Sequence, residues 1–230
     1  MKVLCVFGSA SDEPVFGPLC KALGTEPVIC SAHRDPSRLS RIIQSTDAEI
    51  IVAGAGLAAH LPGVIASQTM KPVIGVPVAA NMDGLDSLLS IMQMPPGIPV
   101  LCSGVNATDS IIRFLKALPG QKGIRFSVKG AGCENALAKA EEMKNAFGIP
   151  DGSLPITFFP AGNPQPGDGI NVICGSLPGK DAPKLLAMTT RGLFVGLNRG
   201  ENAVIMAAQL LHRAAESKPL IDYREKMKVR

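Results

Sequence analysis

The chain has no tryptophan, one tyrosine (Tyr223) and three histidines in 230 residues. Aromatic residues make up 4% of it while hydrophobic residues make up 46%, so any core is aliphatic and packed from small side chains. No Cys-x-x-Cys pair occurs, which argues against a zinc site. The six cysteines, Cys5, Cys20, Cys30, Cys102, Cys133 and Cys174, lie far apart and mostly inside apolar runs. They read as buried free thiols in a reducing, cytoplasmic compartment. No apolar run approaches the ~20 residues of a membrane helix, and the first residues enter a strand with no signal-peptide pattern. The net charge of +4 is scattered, without a basic stripe interleaved with aromatics, so neither nucleic acid nor a membrane is an expected partner. The one dense basic run, 224–230, reads as a solvated helix end.

What is present is an alternation of short apolar runs with helical segments. Lys2 to Phe7 reads as a strand buried on both faces, and Pro14 opens a helix running to about Leu23. Pro27 to Cys30, about Glu49 to Ala53, Pro72 to Pro77 and Ile98 to Cys102 read as four further strands. Helices from Pro36 to Ser45 and from Leu85 to Gln93 lie between them, and the small-residue run Gly54 to Gly63 follows the third strand. This pattern predicts an α/β fold, a three-layer doubly wound parallel sheet of the flavodoxin-like or Rossmann-like kind. Ligands in such sheets bind beyond the carboxyl ends of the strands.

Three of those ends carry polar or small-residue mouths. Gly8-Ser9-Ala10-Ser11-Asp12 is a strand-to-helix turn that suits a phosphate, or is an ordinary capped turn. Ser31-Ala32-His33-Arg34-Asp35-Pro36 delivers a titratable ring and a fixed cation to the end of the second strand. Gly54-Ala55-Gly56 continuing to His60-Leu61-Pro62-Gly63 allows close backbone approach. His60 alone reads more readily as a packed helix histidine than as a ligand contact.

The motifs GSASD, SAHRDP, AGAGLAAHLPG, PVIGVPV and LDSLLSIMQMPPGIPV occur in one order and spacing, and with them the chain resembles the PurE family. The resemblance runs from Lys2 to about Val100 and resumes at Val195-Gly196-Leu197-Asn198-Arg199-Gly200-Glu201-Asn202-Ala203. It implies an enzyme of purine synthesis acting on 5-aminoimidazole ribonucleotide chemistry. The mutase branch converts N5-carboxyaminoimidazole ribonucleotide to 4-carboxy-5-aminoimidazole ribonucleotide; the other branch carboxylates the amine directly. Arg34 and the His60-Leu61-Pro62-Gly63 run resemble the mutase branch.

Carried over position by position, the resemblance implies Gly8, Ser9, Ser11 and Asp12 at the phosphate and ribose, with Asp12 on the ribose hydroxyls. Ser31 and Arg34 complete the phosphate site. Gly54, Ala55, Gly56, His60 and Leu61 border the base and carboxylate, and His33 is the proton shuttle. It implies trapped carbon dioxide as the transferred group, no cofactor or metal, and a homo-octamer with sites at subunit contacts. A carboxylase of nickel-pincer cofactor synthesis and a nucleotide-binding regulator are the competing readings. No cysteine in the three mouths supports the first, and retention of His33 with Arg34 weighs against the second.

Two departures stand out. Glu13 occupies the place of the family's usual aromatic. A segment of about 105–191 separates the two matching parts, so the expected organisation is a catalytic domain of 1–104 with 192–230 and an inserted small α/β segment. Within it, helices over Asp109–Leu118 and Asn135–Phe147, strands Ile124–Val128, Ile156–Phe159 and Ile170–Cys174, and a helical turn at Lys184–Thr189 are expected. Gly132-Cys133-Glu134-Asn135-Ala136 echoes Arg199-Gly200-Glu201-Asn202-Ala203, with Asn106-Ala107 as a weaker third copy.

Overall fold

The computed structural model describes residues 1–212 and 218–227. A single nine-stranded sheet has the order β2-β1-β3-β4-β5-β9-β8-β7-β6. Its first half comprises β1 (Val3–Phe7), β2 (Pro27–Ile29), β3 (Ile50–Ala55), β4 (Val73–Pro77) and β5 (Leu101–Cys102), joined by α1 (Glu13–Leu23), α2 (Pro36–Ser45), α3 (Leu61–Gln68) and α4 (Leu85–Met92). Helix α5 (Thr108–Ala117) follows β5. The second half is β6 (Ile124–Val128), α6 (Glu134–Ala146), β7 (Leu154–Pro160), β8 (Ile170–Cys174), α7 (Lys184–Met188), β9 (Leu193–Val195) and α8 (Gly200–His212), and α9 (Lys218–Met227) ends the described chain. The basic residues expected at 228–230 lie outside the described residues.

Alternation along the strands explains the three layers. Cys5, Phe7, Val52, Ile74 and Leu101 point to the side covered by α1, α5, α6 and α8. Val6, Ile51, Ala53 and Cys102 point to the side covered by α2, α3, α4 and α7. The fifth strand is shorter than expected. The turn at Pro95-Pro96-Gly97 and the missing N–H of Pro99 delay pairing until Leu101. All six cysteines are free and buried.

Segment 105–191 contributes strands β6, β7 and β8 to the same sheet rather than forming one of its own. Every neighbouring pair is parallel except β5 and β9, which meet antiparallel at Cys102 and Phe194. The two halves therefore open at opposite edges of the sheet. The second half repeats the order β1-β3-β4-β5 as β6-β7-β8-β9, in the same register. Phe7 pairs with Gly54 as Val128 pairs with Phe158. Ala55 pairs with Pro77 as Phe159 pairs with Ile173. Gly75 pairs with Cys102 as Asn171 pairs with Phe194. Thus Cys102 and Phe194 are counterparts that also face each other across the junction, as an approximate two-fold axis requires. Among the described residues, the second half has no counterpart of β2 and α2. The echo noted in sequence is differently placed: α6 corresponds to α1, and α8 to α5.

Helix α8 is buried from Gly200 to Leu210. It is wedged between α6 and the first half. Asn202 accepts from the Gly97 amide at 2.8 Å and donates to the Pro95 carbonyl at 2.9 Å, while Gln209 donates to the Met70 carbonyl at 3.0 Å. A methyl group at Gly200 would run into the Ala136 carbonyl. Gly200→Ala is therefore expected to destabilise the chain by about 1–3 kcal/mol, read as a lower urea midpoint.

Arg224 corrects the expectation of a solvated tail. Its Nη1 donates to the carbonyls of Thr69 and Ala66 at 2.6 and 3.2 Å, tying α9 to the end of α3.

Candidate active site

The mouth lies where the strand order reverses, with β2 on one side of β1 and β3 on the other. It is a cavity of about 430 Å³ at the carboxyl ends of the first-half strands. Gly8, Ser9, Ser11 and Asp12 reach it from the turn after β1, Ser31, His33 and Arg34 from the loop after β2, and Ala55, Gly56, His60 and Leu61 from the segment after β3. Gly54 is the one expected contact that does not line it. That residue is buried in β3, where a methyl group would collide with the Phe7 ring, and its carbonyl accepts from the Gly8 amide at 3.0 Å.

The first turn is ordered by its own hydroxyls. Ser9 Oγ accepts from the Ser11 amide at 3.2 Å and lies 2.7 Å from Ser11 Oγ. Asp12 is buried, with Ser11 Oγ donating to Oδ1 at 3.4 Å and Oδ2 unpartnered among the described residues. Burial pushes its carboxyl above the usual range, opposed by hydrogen bonds from Ser11 and Ser9. Because the folded-state pKa is raised, the neutral form favours folding. That contribution is complete below the ordinary aspartate value and is lost as pH rises through the raised one. Asp12→Asn is thus expected to match the wild type in thermal stability at low pH and to exceed it at neutral pH. Melting curves across that range check the sign.

The second loop begins with Ser31, whose Oγ accepts from the Arg34 amide at 3.3 Å. Asp35 then caps α2, accepting from the Arg38 amide at 3.0 Å. Arg34 turns back over the first turn, with Nη2 donating to the Gly8 carbonyl at 3.1 Å. A guanidinium thus stands beside the Ser9 and Ser11 hydroxyls, which together suit phosphate oxygens.

His60 is not packed away. It is exposed at the N-terminus of α3, with its Nδ1 3.0 Å from His33 Nε2 and the two rings edge to face at 85°. In such a contact one ring nitrogen donates and the other accepts, which fixes the two rings relative to each other. The same small-residue run puts Leu57 in the left-handed region at φ 55° and leaves it 53% exposed on the rim.

Ala32, Leu57, Ala58 and Ala80 also line the cavity and were not singled out in sequence. The first three carry no polar signal. Ala80 follows β4, the next strand in the sheet, and strand-end position alone was the available clue. Glu13 opens α1 next to Asp12 and does not line the cavity. Among the described residues, no cluster of three or more His, Cys, Asp or Glu side chains is placed to hold a metal, and no helix is long and apolar enough to cross a membrane.

Strand order and mouth position define a doubly wound, flavodoxin-like α/β protein with a cavity at the switch point, where such folds bind ligands. The family model described as AIR carboxylase matches residues 2–113. The N5-carboxyaminoimidazole ribonucleotide mutase of Pyrococcus abyssi is 51% identical over 118 residues, covering 47% of this chain and 68% of that protein. The mutase of the same name from Mycobacterium tuberculosis is 48% identical over 154 residues, covering 63% and 88%. A phosphoribosylaminoimidazole carboxylase of Candida glabrata is 47% identical over 110 residues, covering 44% of this chain and 19% of that protein. The chain belongs to the AIR carboxylase, or PurE, family.

Proposed function

We propose that the chain is a PurE-type mutase of purine biosynthesis that interconverts N5-carboxyaminoimidazole ribonucleotide and 4-carboxy-5-aminoimidazole ribonucleotide. The observation that carries this reading is the His33–His60 contact at 3.0 Å, beside a guanidinium and two hydroxyls in one cavity. Arg34, Ser9, Ser11 and Ser31 would hold the phosphate, Asp12 the ribose, and the Ala55–Gly56 backbone with His60 and Leu61 the base and its carboxylate. Gly54 acts one step back, by leaving room for Phe7.

The reaction needs one proton delivered and one removed. The N–C bond of the carbamate breaks, carbon dioxide departs, and the ring amine nitrogen gains a proton. The electron-rich ring carbon attacks the retained carbon dioxide, a C–C bond forms, and that carbon loses its proton. His33 supplies the first proton and accepts the second, with His60 beside it to orient the ring. Confinement and orientation supply the rest.

Residues 1–104 with 192–230 form the catalytic part in this reading, and 105–191 supplies framework. The exposed rim, with Leu57 and with Met82 74% exposed, suits cover by a neighbouring copy in a homo-octamer. The second reading is direct carboxylation of 5-aminoimidazole ribonucleotide, supported by the Candida glabrata relative. The test is ultraviolet-monitored turnover of fresh N5-carboxyaminoimidazole ribonucleotide beside 5-aminoimidazole ribonucleotide with bicarbonate. Turnover of the carbamate is the expected result. Turnover only of the free amine would assign the direct carboxylase, and binding without turnover a nucleotide-binding regulator.

A further inference from the structure

We infer that Asn106, outside the cavity, is a positioning residue for this site, acting through the loop Val78-Ala79-Ala80, which brings Ala80 to the cavity wall. The inference rests on the nucleotide reading of the mouth given above.

Asn106 sits in the left-handed region at φ 55°, just after β5. Its amide donates to the Pro77 carbonyl at 2.9 Å, and its carboxamide Oδ1 accepts from the Ala79 amide at 3.1 Å. It does not cap its own helix; the residue at the cap of α5 is Ala107. Instead it fastens the loop after the neighbouring strand. That loop carries Ala80 to the cavity and packs directly against Gly56, where an added methyl group would meet Ala80 Cβ and the Val78 carbonyl, each at 3.3 Å. The loop and Gly56 therefore form one continuous part of the lining, and the placement of Ala79 fixes where Ala80 lies in it.

The loop needs fastening. Beyond Ala80 it passes through Met82 at φ 50°, Asp83 at φ 55° and Gly84 at φ 80°. Two non-glycine residues in that region persist only where the surroundings over-determine them. The holding contacts are few. Val78 donates its amide to Ala55 at 3.1 Å, the Val78 carbonyl accepts from Ser87 Oγ at 3.1 Å, and Asn106 holds Ala79.

The second half contains the same device without the site. Asn198, after β9, is left-handed at φ 58° and donates its amide to the Ile173 carbonyl at 2.8 Å. Its carboxamide accepts from the Gly175 amide at 2.7 Å and donates to the Gly175 carbonyl at 2.8 Å. Ile173 and Pro77 are counterparts in the two ladders. There, however, Phe158 and Phe159 stand where Gly54 and Ala55 stand in the first half, and the described residues hold no counterpart of the β2–α2 unit with its His and Arg. Asn198 is thus an internal control, with the same backbone conformation, the same amide-to-Oδ1 bond and one further carboxamide bond, remote from the catalytic mouth.

The experiment compares Asn106→Gly with Asn198→Gly in the full chain. Glycine keeps the left-handed conformation and removes only the carboxamide. Both variants are expected to melt earlier than the wild type. Asn106→Gly is expected to lower kcat/KM for the carbamate by about tenfold, the size of one net hydrogen bond, with KM carrying at least half of the change; Asn198→Gly is expected to leave both constants within about twofold. Asn106→Asp, which retains the acceptor and tolerates the left-handed region, is expected to restore kcat/KM. Should the glycine variant not accumulate as folded protein, Asn106→His, also tolerated there, repeats the loss of the carbonyl acceptor. Equal losses in both Gly variants, or no loss at Asn106, overturn the inference. A wild type that turns over neither substrate overturns the functional reading instead, and is measured first.

Discussion

His33→Asn is expected to lower kcat for the carbamate by about 100- to 10,000-fold, the usual worth of a positioned acid–base group. The Kd for 5-aminoimidazole ribonucleotide is expected to stay within about threefold. Asparagine is polar but shorter, and it cannot carry a proton between the 5-amino nitrogen and the ring carbon. Binding is expected to survive because, in the proposed site, other residues would hold the phosphate: Ser9, Ser11, Ser31 and Arg34 are fixed by the turn after β1 and by the Asp35 cap of α2. Stopped-flow turnover together with equilibrium dialysis separates the two quantities. A fall in binding that accounts for the whole loss of rate would make His33 a ligand contact rather than the shuttle.

Arg34→Ala is expected to raise KM for the nucleotide by about 10- to 100-fold, matching the 1.5–3 kcal/mol of a hydrogen bond to a charged group. The change in kcat is expected to be smaller. Arg34 Nη2 already leans on the Gly8 carbonyl, so the cation is partly pre-organised over the turn that carries Ser9 and Ser11. The decisive comparison uses the dephosphorylated nucleoside. If the guanidinium reads the phosphate, wild type and variant are expected to treat the nucleoside alike. A variant that loses equally on nucleotide and nucleoside would place Arg34 at the base or ribose. Arg34→Lys is expected to recover only part of the loss, since an ammonium lacks the planar fork.

Much of the first half was legible because its signals are local. Apolar runs of strand length, punctuated by Gly, Ser and Pro, mark where each strand stops, and in a doubly wound sheet those stops converge. The three mouths are brought together on that basis, with all expected contacts except Gly54 lining one cavity. Gly54 differs because a glycine inside a strand is as useful to a neighbouring ring as to a ligand, and sequence does not distinguish Phe7 from a substrate. His60 differs in the other direction. Its apolar surroundings, Ala58, Ala59 and Leu61, suggest burial, yet the ring stands exposed at the start of α3 and meets His33 from another βα unit.

The non-local features were beyond reach of pattern. Nothing in Leu193–Val195 says that it runs opposite to Leu101–Cys102; that follows from β9 being delivered by the second half of the sheet. The repeat of β1-β3-β4-β5 as β6-β7-β8-β9 survives in register and in Asn106 and Asn198, not in extended identity. Phe158 and Phe159 stand at the positions of Gly54 and Ala55, and among the described residues the βα unit bearing His33 and Arg34 has no second copy. The sequence echo between Gly132–Ala136 and Arg199–Ala203 marks two helix starts that pack together at Ala136 and Gly200, a contact rather than a correspondence.

The most direct test of the central claim is the fate of the carboxyl carbon. N5-carboxyaminoimidazole ribonucleotide labelled with carbon-13 in its carboxylate is turned over in excess unlabelled bicarbonate, and the product is analysed by mass spectrometry at early conversion. Retention of label well above the level of free exchange is expected if carbon dioxide is held in the mouth between the two bonds. Complete dilution of the label to the bicarbonate pool, with turnover intact, would contradict it and assign the chain to direct carboxylation.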